Sequence, residues 1–244
     1  MPKTLIGAHL IIFGGRVKED IKGVLEDVKA AGYSGIEAFA GVGDIKELLD
    51  DVGLECAGVH IAFRDCAKID EIIPLLHSNG AQYLMCSGVG DREQGIAAYE
   101  GAAETFNEVG AKCREAGIVF GYHNHDWEFQ DRAADGRPAL ERLYELTDPD
   151  LVAANVDVYW VMVGGDDPAE FVDKYASRIK WIHLKDGVPG CFTELGNGDV
   201  PWESTIPAVK SLNLPWLIVE QDNSDKDPKE SCTISRAFLR NHGL

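Results

Sequence analysis

The stretch LIGAHLIIFGGRVKEDIKGVLEDVKAAGYSGIEAF, residues 5 to 39, joins two short apolar runs through one amphipathic segment. The runs at 5–10 and 35–39 have the length and composition of buried strands. Between them, apolar residues recur with helical spacing on one face, at Val17, Ile21, Val24, Leu25 and Val28. Gly32 follows as a typical helix stop. This stretch therefore predicts a strand–helix–strand unit.

The same alternation continues to the other end of the chain, and we count eight rounds of it. Strands are predicted at 5–10, 35–39, 55–61, 82–86, 119–123, 151–157, 179–184 and 216–220. Helices are predicted at 17–32, 43–52, 67–78, 92–116, 137–147, 168–176, 203–212 and 229–240. Eight such units in 244 residues predict an α/β fold, a single (β/α)8 TIM barrel that forms one domain over residues 1–244. A doubly wound open sheet is the alternative, but GVGDI at 41–45 follows the second strand and lacks the third glycine of a dinucleotide-binding loop.

Composition and charge exclude several classes of function. The chain has 41 acidic and 23 basic residues, a formal net charge of −18, which disfavours binding to nucleic acid. No stretch approaches the roughly 18 apolar residues of a membrane span, and the N-terminus does not resemble a signal peptide. The six cysteines form no C-x-x-C pair. We therefore expect a cytoplasmic protein without a membrane or nucleic-acid partner; a homo-oligomer stays open.

Polar residues follow the predicted strands, at the end where TIM barrels carry their chemistry. Five of the seven histidines occupy such positions, and only His77 and His242 do not. Four consecutive strands end with residues of the types that bind divalent metals, namely His123, Asp157, His183 and Glu220. Consecutive strands are neighbours in a closed barrel, so these side chains are expected to bind one divalent ion. Two imidazoles with two carboxylates suit manganese, our first choice, or cobalt, zinc, nickel or iron, whereas magnesium prefers more oxygen ligands.

At these residues the sequence resembles the sugar phosphate isomerase/epimerase family of the xylose isomerase-like TIM barrels. The resemblance covers essentially the whole chain and is carried by GYHNHDWEF (121–129), NVDVYWV (155–161), RIKWIHLKD (178–186), ELGNGDVPW (194–202) and IVEQD (218–222). It implies one divalent metal bound by His123, Asp157, His183 and Glu220. In related epimerases and dehydratases the ligand on strand five is usually a glutamate, whereas this chain has His123 there.

The resemblance implies an isomerase or epimerase that acts on a sugar, keto-sugar or cyclic polyol. Such an enzyme abstracts a proton next to a carbonyl and forms an enediolate. The epimerases use two glutamates as their acid/base pair, so His123 gives weight to the alternative, a lyase or dehydratase acting on a 3-keto-glycoside or inosose. An apurinic endonuclease-like hydrolase shares the barrel but needs a basic groove, and a non-catalytic sugar-binding barrel is the remaining alternative.

Further residues at the strand ends are candidates for catalysis and substrate binding. The general base is expected among Glu220, His125, His60 and Glu37, and we prefer His125 because it lies close to His123 in the sequence. Lys185 is expected to meet a phosphate, a carboxylate or an enediolate oxygen, or to pair with Asp186. The predicted substrate contacts are His9, Glu37, His60 and Trp160. The glycine-rich segment 194–202 is either a phosphate-binding loop or a simple entry into a helix.

Overall fold

Eight parallel strands close into a barrel in the computed structural model, which describes residues 4–244. The barrel strands are β1 (Leu5–His9), β2 (Gly35–Phe39), β3 (Glu55–Ala62), β4 (Tyr83–Ser87), β5 (Val119–His123), β6 (Ala153–Asp157), β7 (Ile179–Leu184) and β10 (Trp216–Val219). Each of these eight strands pairs with the next barrel strand along the chain, and β10 pairs with β1 in parallel register to close the barrel. The predicted (β/α)8 TIM barrel is confirmed, and the open sheet is excluded.

Helices surround the barrel and connect its strands. They are α1 (Arg16–Glu19), α2 (Ile21–Ala31), α3 (Lys46–Val52), α4 (Ile69–Asn79), α5 (Ile96–Glu115), α6 (Trp127–Gln130), α7 (Ala139–Leu146), α8 (Val158–Val163), α9 (Pro168–Tyr175), α10 (Trp202–Ser211) and α11 (Pro228–Asn241). The prediction of one helix at 17–32 was wrong in one respect. Asp20 has non-helical dihedral angles and divides this segment into α1 and α2. The Asp20 side chain accepts a hydrogen bond from the backbone N–H of Gly23 and so caps α2.

Two tryptophans fill the barrel interior beneath the polar residues of the strand ends. Trp181 is fully buried and Trp216 nearly so, and both pack with Ala57, Met85 and Ile218. Glycines face the rings: a Cβ on Gly58 would lie 3.1 Å from Trp181, and one on Gly35 would lie 2.7 Å from Trp216. The small residues make room for the large ones, so this part of the barrel is a packed core.

A short antiparallel hairpin, which the sequence did not predict, follows β7. It consists of β8 (Asp186–Val188) and β9 (Cys191–Thr193). Phe192 in this hairpin contacts the rings of Tyr159 and Trp160 edge to face. The hairpin therefore extends one wall of the barrel mouth beyond β7.

The described residues belong to one barrel, but the predicted domain of residues 1–244 includes residues 1–3, which lie outside the described part. That boundary stays a prediction. No helix within residues 4–244 is long and apolar enough to span a membrane.

Candidate metal centre

Five histidines from four strand ends converge at the carboxyl end of the barrel. The ring centroid of His60 lies 5.4 Å from that of His9 and 5.1 Å from that of His123. The His123 ring lies 4.7 Å from the rings of both His125 and His183. Closure of the barrel therefore brings side chains that are distant in the sequence into one site. His9 and His183 are 174 positions apart.

The four predicted metal ligands lie together and are all buried. One ligand atom from each of His123, Asp157, His183 and Glu220 lies within 4.8 Å of the others. Within residues 4–244, His123 Nδ1 and Asp157 Oδ2 are buried without a hydrogen-bond partner, while His183 Nδ1 and Glu220 Oε2 face each other at 2.5 Å. Buried polar atoms without partners are costly, and a divalent cation satisfies several of them at once. The donor set and these free atoms fit a metal ion, whose identity they leave open.

His183 is oriented by Glu37, a residue that the sequence placed among the substrate contacts. His183 Nε2 lies 2.7 Å from Glu37 Oε2, and the indole N–H of Trp181 donates to the same oxygen at 2.8 Å. Burial opposes ionisation of Glu37, but the charge and hydrogen bond of His183 outweigh it and hold the pKa of Glu37 well below its usual range. An ionised carboxylate only accepts, so His183 donates through Nε2 and turns Nδ1 toward the other ligands. A carboxylate on the second nitrogen is the usual support of a metal-binding histidine.

The two carboxylate oxygens of Asp157 have different partners. Oδ1 accepts hydrogen bonds from the backbone N–H groups of Tyr159 and Trp160, at 2.9 and 3.1 Å, and caps α8. Oδ2 is free. Burial raises the pKa of Asp157 to about 7, against the opposing effect of the Lys185 charge. One side chain thus fixes the start of a helix and offers an oxygen to the site.

Lys185 is fully buried between acidic side chains. Its Nζ donates to Glu220 Oε1 at 3.2 Å, lies 3.9 Å from Asp157 Oδ2 and pairs with Asp222. Burial disfavours its charge, but the charges of Glu220, Asp157 and Asp222 outweigh burial and raise its pKa. The suggested pair between Lys185 and Asp186 is not among these contacts.

Proton release should accompany metal binding, because protons occupy the ligands of the metal-free protein. Burial lowers the pKa of His183, but Glu37 and Glu220 outweigh it and raise the pKa to about 10. We expect affinity for Zn²⁺ or Mn²⁺ to rise with pH below that pKa, by about tenfold per pH unit for each proton released. Near pH 8 about one proton is released, and near pH 6, below the pKa of about 7 of Asp157, about two.

Calorimetry in buffers of different ionisation enthalpy measures this number directly. The stability of the metal-free protein changes with pH in the opposite direction, because His183 stabilises the fold in its protonated form. The pKa of His183 is raised on folding, so its stabilising contribution is complete below its ordinary pKa of 6.5 and is lost as the pH rises through about 10. Metal affinity that does not change between pH 6 and 8 would contradict the prediction.

His125, our preferred base from the sequence, is buried against aromatic rings. Its ring stacks on Trp127 with a centroid distance of 3.9 Å and lies 5.6 Å from that of Trp160. Burial, followed by the Lys185 charge, lowers the pKa of His125 to about 3. An imidazole with that pKa is a weak proton acceptor near neutral pH, so the role of His125 as base stays a prediction without geometric support.

Glu128 supports the turn that carries His125. It is fully buried, accepts hydrogen bonds from Tyr122 Oη at 2.5 Å and from the His125 backbone N–H at 2.7 Å, and burial raises its pKa to about 7.

Three aromatic rings surround the ammonium group of Lys185. Its Nζ lies 4.7 Å from the ring centroids of both Trp160 and Phe192 and 5.9 Å from that of Tyr159. Trp160, a predicted substrate contact, is half-buried, and its indole nitrogen has no partner within the described residues. Phe192 was missed from the sequence because no pattern marks the hairpin that carries it.

The segment 194–202 is organised around the carboxylate of Asp186. Asp186 Oδ2 accepts from the N–H groups of Gly196 and Gly198, at 2.7 and 3.2 Å, and from the Trp202 indole at 2.7 Å. Oδ1 accepts from the N–H groups of Gly187 and Val200, at 2.8 and 3.2 Å. The N–H groups that would bind a phosphate in this loop are therefore engaged by a protein carboxylate.

Asp186→Asn is expected to lower the free energy of unfolding by about 2–4 kcal/mol, because the amide turns an NH2 group toward at least two of these donors. Urea unfolding measures the loss. Asp199→Asn in the same loop is the matched control, since Asp199 is exposed and should change the midpoint little. Equal midpoints for the two variants would refute the role of Asp186.

Residues 25–242 match the family model of the xylose isomerase-like TIM barrel. The chain belongs to this family. A sugar phosphate isomerase/epimerase from Parabacteroides distasonis has a similar structure, with a TM-score of 0.83 and 22% identity over 98% of this chain and 97% of that one. The probable 3-DHS dehydratase of Bacillus anthracis has a TM-score of 0.78 and 12% identity over 98% and 99% of the two chains. The resemblance predicted from the sequence is confirmed; at these identities the structures establish the fold alone.

Family members related by sequence include inosose dehydratases. The enzyme of Clostridium perfringens is 29% identical over an alignment of 160 positions, which covers 57% of this chain. The chain spans about half of that protein's length, 52%. That of Lacticaseibacillus casei is 26% identical over 200 residues, 67% of this chain and 66% of its own. Inosose dehydratase 2 of Bacillus cereus is 24% identical over an alignment of 268 positions, which covers 88% of this chain and 87% of that protein. These family members are enzymes, and their reaction is a lyase reaction.

Proposed function

We propose that this protein is a metal-dependent dehydratase that acts on an inosose or a similar cyclic keto-polyol. The observation that carries this proposal is the engagement of Glu220, the one glutamate among the four candidate ligands. Lys185 donates to Glu220 Oε1, and His183 Nδ1 faces Oε2 at 2.5 Å. An epimerase would exchange protons between two opposed glutamates, and the four candidate ligands include no second glutamate. The relatives named inosose dehydratases support the same choice.

The side chains of the site suggest a division of tasks. A divalent ion held by His123, Asp157, His183 and Glu220 would supply a Lewis acid for a substrate carbonyl and its neighbouring hydroxyl. Glu37 holds His183 in one tautomer and orientation. Lys185 offsets the negative charge of Glu220 and Asp157, and the aromatic groups of Trp160 and Phe192 exclude water from its ammonium group.

Isomerisation or epimerisation, which the sequence predicted first, is the second candidate. Like dehydration, it begins with the abstraction of a proton next to a carbonyl. A single proton-transfer group is sufficient to move a proton between neighbouring carbons on one face, so the engagement of Glu220 disfavours epimerisation more than isomerisation.

The test is incubation of an inosose and of a set of ketoses with purified protein, with Mn²⁺ added or with chelator present. We expect the inosose to lose one water, as read by mass spectrometry, only with metal. An isomer or epimer of a ketose as the sole product would select the second candidate. Full turnover in the chelator-treated sample would exclude both.

A further inference from the structure

Two histidines beside the candidate metal ligands are held in opposite tautomers. His9 Nδ1 accepts a hydrogen bond from the backbone N–H of Ile11 at 3.2 Å, which caps the short 3-10 turn Leu10–Phe13. A nitrogen that accepts an N–H carries no proton, so the neutral His9 ring carries its proton on Nε2. Nε2 is buried and has no partner within the described residues. His9 therefore presents an unused N–H donor.

His60 has the reverse arrangement. Its Nδ1 lies 3.0 Å from Glu37 Oε1, and because the Glu37 carboxylate only accepts, Nδ1 is the donor. The neutral ring then has its lone pair on Nε2, for which the residues of the described chain provide no hydrogen bond. The His60 side chain is 11% exposed while that of Glu37 is 0% exposed. A carboxylate that fixes one imidazole nitrogen while the other faces a site is the arrangement of a general base.

The position of His60 relative to the candidate metal ligands is suitable for proton transfer. Its ring centroid lies 5.1 Å from that of His123 and 5.9 Å from that of His183. A substrate that reaches the four ligands therefore lies beside His60. In contrast, His125 stacks on Trp127, and its Nδ1 is buried without a partner among residues 4–244.

A second metal ion is the competing explanation, because His9, Glu37 and His60 also lie close enough together to hold one. The hydrogen bonds of His9 and Glu37 argue against a second metal ion. His9 Nε2 carries the proton as long as Ile11 donates to Nδ1, and Glu37 already receives hydrogen bonds on both oxygens, from His60, His183 and Trp181. Two of the three groups would have to break existing bonds to become ligands.

We propose that His60 is the proton-transfer residue of this site and that His9 donates a hydrogen bond to a substrate oxygen next to it. This inference rests on the proposed function, since it names the group that moves the proton in that reaction. The substrate it implies carries an oxygen acceptor next to an acidic C–H bond, because the facing groups are the Nε2–H donor of His9 and the Nε2 lone pair of His60.

In dehydration, His60 acts first as a base and then as an acid. His60 Nε2 takes the proton from the carbon next to the carbonyl, and the electron pair of that C–H bond forms the new double bond toward the neighbouring carbon. The C–O bond of the hydroxyl on that neighbouring carbon breaks, and the proton on His60 passes to the leaving hydroxyl, which departs as water. Glu37 stabilises the intervening imidazolium. No oxidant or reductant is needed.

Asparagine variants separate these roles, because an asparagine amide can replace Nδ1 but not Nε2. His60→Asn keeps a donor for Glu37 and loses the base, so we expect turnover of an inosose and solvent-deuterium incorporation to fall by about 10²–10⁴-fold with unchanged metal affinity. His9→Asn keeps an acceptor for Ile11 and loses the donor, so we expect KM to rise by about tenfold. His77→Asn, an exposed change in α4, is the control.

Two readouts do not depend on turnover. Nitrogen-15 NMR of histidine-labelled, metal-free protein should show His9 protonated on Nε2 and His60 on Nδ1, and metal analysis should give one Mn²⁺ or Zn²⁺ per chain. The opposite tautomers, two ions per chain, or a His60→Asn variant within threefold of wild-type turnover would each overturn the inference. Inactive wild-type protein with the predicted tautomers would instead reject the proposed function.

Discussion

Asp157→Asn is expected to abolish tight metal binding while the barrel stays folded. The reason is the division of its two oxygens: Oδ1 caps α8, and an asparagine keeps that acceptor, whereas Oδ2 is the free atom at the candidate metal centre. The substitution puts an NH2 group where a ligand oxygen lies. We expect the Kd for Zn²⁺ or Mn²⁺ to rise by more than the roughly 10–100-fold that loss of an outer-shell partner causes. Calorimetric titration measures it.

Asp167→Asn provides the matched control. Asp167 Oδ1 caps α9 through the N–H groups of Ala169 and Glu170, at 2.8 and 3.0 Å, as Asp157 caps α8. We expect this variant to bind metal like the wild type. If Asp157→Asn binds one ion with unchanged affinity and an unchanged thermal midpoint, Asp157 is not a ligand. A similar loss of midpoint in both variants would report on helix capping alone.

Lys185→Met is expected to make the stability of the protein depend on metal. The substitution removes the buried cation and leaves Glu220, Asp157 and Asp222 without it. Breaking a buried charge pair in this way costs about 3–5 kcal/mol, and we expect that loss in the free energy of unfolding of chelator-treated protein at pH 8. A divalent ion bound by Asp157 and Glu220 should restore part of it.

Urea unfolding with and without Mn²⁺ measures both effects. Lys180→Met is the control, because Lys180 lies on the same strand β7 but is exposed. It should change the free energy of unfolding little, in either condition. If the curves of Lys185→Met and Lys180→Met coincide in chelator, the charge of Lys185 does not stabilise this site.

The barrel was predictable because strands and helices have different apolar periods, and these repeat along the chain. Errors occurred where a single residue changed the local geometry. Asp20 divides the first long helix, and Gly95, with φ of 59°, ends the short 3-10 turn Arg92–Gln94 before α5. The hairpin of β8 and β9 has only three residues per strand, too few for a recognisable alternation.

The four candidate ligands could be predicted as a set because each lies at or next to the carboxyl end of a barrel strand, and a barrel brings these ends to one face. The hydrogen-bond partners of these ligands could not be predicted. Glu37 lies 146 positions from His183, and no local pattern links them. The proposal of His60 in place of His125 also depends on tertiary contacts, because the burial and stacking of His125 come from Trp127, Trp160 and the surrounding strands.

By itself the sequence determined the order of strands and helices, the family, and which chemical groups reach the mouth of the barrel, since these depend on local periodicity and on residue type at each strand end. Only the tertiary structure decided what those groups do to one another. Hydrogen bonds about 3 Å long fix the tautomers of His9 and His60 and the orientation of His183, and Asp186 accepts from the N–H groups of a loop that resembled a phosphate site. Such contacts require atomic distances between strands, which barrel closure sets and a linear sequence does not contain.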